Sequence, residues 1–205
     1  MHRTAARVTG ALFITATVAG VISAALLGGG TGGGAHRQSA GALAVLVMAG
    51  AIAMIPAALF PVLKVYSESS AVGYVVARTV EVVLLLPAAF GPLILVAAGD
   101  GGLDPAVRSV LDTQDTWGYA PAALFFCLSA LLLNVVLFRS RLVPRWLPGW
   151  ALAGVALYVT DAGLVMFGGL TTASPAHAAL VVPLAVNEMV LAVWLLVKGF
   201  RTPTG

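Results

Sequence analysis

The sequence predicts an all-α protein, a polytopic integral membrane bundle of six transmembrane helices with both termini cytoplasmic, and three observations carry that prediction. Of its 205 residues, 60% are hydrophobic and only 9% are charged, whereas soluble domains carry about a quarter charged residues. The apolar residues gather into six runs, each near the roughly 20 residues that cross a hydrocarbon core about 30 Å thick. Basic residues cluster at alternate ends of those runs, as positive cytoplasmic loops require. The whole chain, 1–205, reads as a single transmembrane domain.

The first helix is expected over 8–27. It is longer than a signal-peptide core and lacks a small-x-small cleavage site, so it reads as a retained helix. The run from Gly28 to Gly34, broken only by Thr31, is too costly in backbone entropy to order as helix and reads as a flexible loop. A second helix is expected over 40–63, followed by a short polar turn that makes its neighbour antiparallel. The third, 71–98, contains Pro87 and Pro92, each removing a backbone donor and favouring a kink. The longest loop follows, with Asp100, Asp104, Asp112 and Asp115; helices over 117–138, 149–167 and 178–197 complete the set.

Eight of the eleven basic residues (Arg3, Arg7, Lys64, Arg139, Arg141, Arg145, Lys198 and Arg201) fall on one side. Arg37 and Arg108 fall on the other, and Arg78 lies inside the third helix. This bias is expected to place both termini on the cytoplasmic side of the membrane. Trp117, Tyr119, Trp146, Trp150 and Trp194 sit near helix ends, as an aromatic belt would. The net charge of +3 therefore reports membrane topology, and no nucleic-acid partner is expected. The partner is the lipid bilayer, with a hydrophobic small molecule as an open alternative; oligomeric state is not encoded in any pattern.

The turn from Phe138 to Leu147, the ending from Asn187 to Phe200, the stretch from Gly73 to Glu81 and the opening from Arg7 to Phe13 are the most distinctive segments. Together they resemble the bacterial membrane family called domain of unknown function 4386. The resemblance covers nearly the whole chain. It implies a multi-helix membrane protein with an Arg-x-x-Glu in the third helix, and it implies no activity.

Four ionisable residues fall inside the predicted helices: Arg78, Glu81, Asp161 and Glu188. Each costs about 2.5 kcal/mol or more to place in a bilayer, so such groups face a bundle interior and often mark function. At about 1.5 Å per residue, all three carboxylates are expected near the mid-plane. Tyr74, Arg78 and Glu81 share one helix face, Tyr158 and Asp161 share another, and Asn187 adjoins Glu188. One arginine cannot neutralise three acids, and desolvation disfavours the charged form, so the surplus acids are expected to hold protons at neutral pH. Glu81, Asp161 and Glu188 are thus the candidate catalytic acids, with Arg78, Tyr74, Tyr158 and Asn187 as candidate binding residues. The same network could instead only fasten helices 3, 5 and 6 together through buried hydrogen bonds.

Other patterns carry less. Asp112 and Asp115 have an Asp-x-x-Asp spacing that can hold Mg²⁺ beside a diphosphate, but the predicted topology puts them outside, and a solvated acidic loop is the simpler reading. His2, His36 and His177 are scattered over the terminus and loops, so no metal site is expected from them. Cys127 is the single cysteine, which excludes an intrachain disulfide and a cysteine-rich metal site. The glycine run lacks the lysine of a phosphate-binding loop. No cofactor is called for.

Three functions remain open from the sequence. An intramembrane enzyme would protonate an isoprenoid or other lipid-like substrate, with Tyr74, Phe90, Tyr158 and Phe167 lining the pocket against a cationic intermediate. A proton-coupled small-solute transporter would use the carboxylates as its coupling site. A non-catalytic membrane binding or regulatory subunit would use neither.

Overall fold

The computed structural model describes residues 2–28, 34–99 and 102–201. Within them the chain is helical and has no strand: α1 (His2–Leu27), α2 (Ala35–Leu63), α3 (Glu68–Leu85), α4 (Pro87–Ala98), α5 (Pro105–Asp112), α6 (Gln114–Trp117), α7 (Tyr119–Ser140), α8 (Trp146–Met166) and α9 (Pro175–Val197). Six candidate spans are long and apolar enough to cross a bilayer, with α3 and α4 together forming one of them. The protein is therefore a multi-pass membrane protein. A helix satisfies its backbone internally, which is what hydrocarbon demands of any lipid-exposed segment.

Several helices start earlier than the sequence expectation, and a side-chain cap marks some of these starts. Proline at the first helical position and an upstream side-chain acceptor start a helix. Asp104 accepts from Ala106 N at 2.8 Å ahead of Pro105, so the expected loop contains α5. Ser174 accepts from His177 N at 3.1 Å ahead of Pro175, which starts α9 three residues before the expected position of 178. The third span breaks at Leu86, where Pro87 has no N–H to offer Val83 and Leu86 N bonds Val83 O instead at 3.3 Å. Residues 29–33 of the glycine run, and Asp100, lie outside the described residues.

Each span packs against its chain neighbour, α1 on α2, α2 on α3 and α4, α3 on α7, α7 on α8 and α8 on α9, and α9 returns to α1. The spans thus form a closed ring in chain order. Both ends of the ring lie on the face that carries most of the basic residues, where Arg201 N donates to Leu142 O at 2.8 Å. We call this the basic face.

The two halves of the ring are filled differently. Towards the basic face, Leu59, Leu63, Tyr74, Leu137 and Leu195 close the centre with fully buried side chains. Towards the opposite face several inward residues are small, among them Ala16, Gly20, Ala88, Ala122 and Ala123, and a cavity of about 760 Å³ remains. Small side chains leave the space that large ones fill at the other end.

The ring closes through backbone contact. A Cβ on Gly10 would stand 2.6 Å from Ala192 O and 2.9 Å from Leu196 Cγ. Gly10→Val is therefore expected to force α1 and α9 apart, costing about 1–3 kcal/mol. Gly50→Ala, with no atom within 4 Å of the added carbon, is the control. Detergent-solubilised melting of the two variants checks it: a clear drop for Gly10→Val beside an unchanged Gly50→Ala is the expected result.

Candidate functional site

Arg78 comes from the middle of α3, and the helical repeat sets Glu81 one turn beyond it. Arg78 Nη1 donates to both Glu81 oxygens at 3.1 Å, and Nη2 crosses the ring to Glu188 Oε1 on α9 at 3.3 Å. Its guanidinium carbon lies 5.3 Å from the Phe126 ring centre, 5.7 Å from Tyr74 and 5.9 Å from Phe13. A delocalised cation held among aromatic faces and two carboxylates is a well-solvated charge in an apolar medium.

The two acids are not equivalent. Glu81 is nearly buried, its side chain 5% exposed, and both oxygens meet Arg78. Glu188 is 20% exposed to the cavity and uses one oxygen on Arg78. Its second oxygen is the polar atom of the pair that a cavity ligand can reach.

Asp161 is not part of this group. Because α8 begins at Trp146, Asp161 lies five residues from its other end, Met166, about 7 Å from that terminus. Its fully buried carboxylate accepts the Tyr119 hydroxyl at Oδ2 and faces His177 Nδ1 at 2.9 and 3.0 Å. The sequence expectation of three acids around one arginine therefore resolves into two clusters. Arg78, Glu81 and Glu188 sit at the floor of the cavity, while Tyr119, Asp161 and His177 join α7, α8 and α9 near the opposite face.

The remaining candidates divide. Tyr158 lines the cavity, its ring centre 5.2 Å from Phe126 and 6.3 Å from Tyr119. Tyr74 is fully buried behind Arg78. Asn187 turns away from the cavity and donates to Leu147 O at 2.9 Å, tying α9 to the start of α8. Phe90 and Phe167 point outward, 48% and 88% exposed, so the aromatic lining expected of them falls instead to Phe13 and Phe126. The side chains of Asp112 and Asp115 lie outside the described residues.

Sequence reasoning missed Tyr119 and His177. The signal for His177 was present: it precedes Glu188 by eleven residues, about three helical turns, so both share one face once α9 is started at Pro175.

The cavity borders the lipid-facing surface. Thr17 of α1 and Ala185 of α9 line both the cavity and an apolar groove outside α9 that includes Val182, Val186 and Val193. The seam between α1 and α9 thus separates the cavity from that groove.

Residues 8–199 match the model of the family described as Domain of unknown function (DUF4386), and the chain belongs to that family. No curated protein and no solved structure matches it.

Proposed function

We propose that this member of a family with no assigned activity is an intramembrane acid catalyst of the bacterial plasma membrane. It admits a lipid-like molecule through the α1–α9 seam and protonates it from Glu188. The observation that carries the reading is the asymmetry of the two acids on Arg78: Glu81 has both oxygens bound, whereas Glu188 presents one oxygen to an apolar cavity. One guanidinium balances one carboxylate, and two like charges at this distance in low dielectric do not both ionise. Glu81 serves as the counter-ion and Glu188 carries the proton.

Transfer of that proton to an alkene of an isoprenoid gives a tertiary cation and a Glu188 carboxylate. Arg78, already within hydrogen-bonding distance of both acids, stabilises the new charge without reorganising. Phe126 and Tyr158 offer ring faces to the cation, and loss of a neighbouring proton back to Glu188 completes an isomerisation. A positioned acid of this kind contributes about 10²–10⁴-fold to rate. The test is isotopic. Membranes containing the protein are incubated in D₂O, the lipids are extracted, and deuterium is measured at carbon; uptake above that of membranes lacking the protein is expected, and equal uptake would sink the proposal.

A proton-coupled carrier is the second reading, favoured by one observation: the cavity is sealed towards the basic face by the packed half of the ring, as in one state of an alternating-access cycle. Co-purified lipid without deuterium uptake or transport would leave a binding subunit.

We place both termini in the cytoplasm on the eight-to-two basic bias. A periplasm-active phosphatase fused after Arg201 is expected to be silent, and one inserted in the 99–116 connection active. The opposite pattern inverts the topology.

A further inference from the structure

The cavity has a second polar end that the acid chemistry leaves unused. Asp161, fully buried, accepts from the Tyr119 hydroxyl and faces His177 Nδ1. In the tautomer that places its hydrogen on the ring nitrogen turned to the carboxylate, the lone pair of the ring stands at Nε2. His177 itself lines the cavity with its side chain 14% exposed, and among the described residues no hydrogen-bond partner stands at Nε2.

His177, Val181, Ala185 and Glu188 all line the same cavity. Their spacing makes one stripe of α9, polar at each end and apolar between, and its eleven-residue length is about 16 Å. The charge pattern selects the head group. Arg78 is the one arginine or lysine lining the cavity among the described residues, and it lies at the far end. A phosphate or carboxylate beside His177 would face the buried Asp161 with no cation to balance it. A hydroxyl meets no such penalty and has an acceptor waiting.

We infer that Tyr119, Asp161 and His177 form the head-group site for a long-chain alcohol, whose hydroxyl donates to His177 Nε2 while its apolar chain runs along the α9 stripe towards Glu188. Asp161 and Tyr119 act as positioning residues that fix the ring and its tautomer. An extended chain advances about 1.2 Å per bond, so about 13 bonds separate the two ends, the reach of three isoprene units. This inference rests on the proposal that the cavity admits a lipid-like molecule, and it names the class.

The experiment uses the full chain in lipid nanodiscs and two probes of equal length, farnesol and farnesyl methyl ether, competing against tritiated farnesol. One hydrogen bond to a positioned acceptor predicts about tenfold tighter binding of the alcohol. His177→Phe is expected to bring the two affinities together. Because this variant leaves Asp161 with one partner fewer and can fail to fold, a second measurement uses the wild type alone. Carbethoxylation of His177, located by peptide mass spectrometry, is expected to be blocked by farnesol and not by the ether. Equal binding of alcohol and ether, or equal labelling with either, overturns the head-group site and leaves the cavity reading standing. If neither probe binds, both fall. The acid reading fails separately, when the alcohol is preferred and no deuterium enters the lipid.

Discussion

Arg78→Ala is expected to lower the stability of the solubilised protein by about 3–5 kcal/mol, the loss found when one partner of a buried ion pair is removed. For a chain of this size that is roughly 10 °C in melting temperature. Arg78 is buried at 2% exposure and is the shared donor to Glu81 and Glu188, so its removal strands two carboxyl groups at once. Arg108, exposed and bonded to Gly99 O at 3.3 Å, is the comparison, and Arg108→Ala is expected within about 0.5 kcal/mol of wild type. The stronger test is rescue. Combining Arg78→Met with Glu81→Gln and Glu188→Gln removes every charge from the cluster while keeping its volume, and neutral replacements of buried ion networks are often neutral or stabilising. Recovery of most of the lost melting temperature is expected; equal melting of Arg78→Ala and Arg108→Ala would remove the buried role.

Glu188→Gln is expected to abolish deuterium uptake, by about 10²–10⁴-fold, with the melting temperature little changed, because the amide keeps an oxygen for Arg78 Nη2. Glu81→Gln is the discriminating companion. It leaves Arg78 with Glu188 as its single carboxylate, so Glu188 becomes the ionised counter-ion and loses the proton it would donate. Both amides are therefore expected to be inactive and folded, although Glu188 is the more exposed of the two acids at the cavity floor. A purely structural network predicts the reverse, with full activity in both amides and damage confined to leucine or alanine at these positions.

The spans were legible because crossing a bilayer imposes length and composition, and the Arg78–Glu81 pair was legible because its spacing is local to one helix. The facing of the aromatics was not. In water the apolar stripe of a helix marks its inner side, but lipid solvates the outer side equally well, so nothing in the run around Phe90 or Phe167 distinguishes lipid from core. The partnership of Asp161 with His177 was hidden for a different reason. It depends on where α9 begins, and starting that helix at 178 put the histidine in a loop and left the acid to be assigned to the only visible cation. The Ser174 and Pro175 cap signal corrects the start by three residues and with it the composition of both clusters.

The closed ring in chain order has a consequence for biogenesis. Of the described spans α9 follows the other five in the chain, and it supplies Glu188, His177 and the wall against α1, so the ring cannot close during synthesis until α9 inserts. Until then Arg78 lacks its contact with Glu188. An arginine alone would resist insertion, but Glu81 one turn along the same helix travels with it as a pair of zero net charge. The local pair is complete within one helix, and the distant acid joins it afterwards to complete the site.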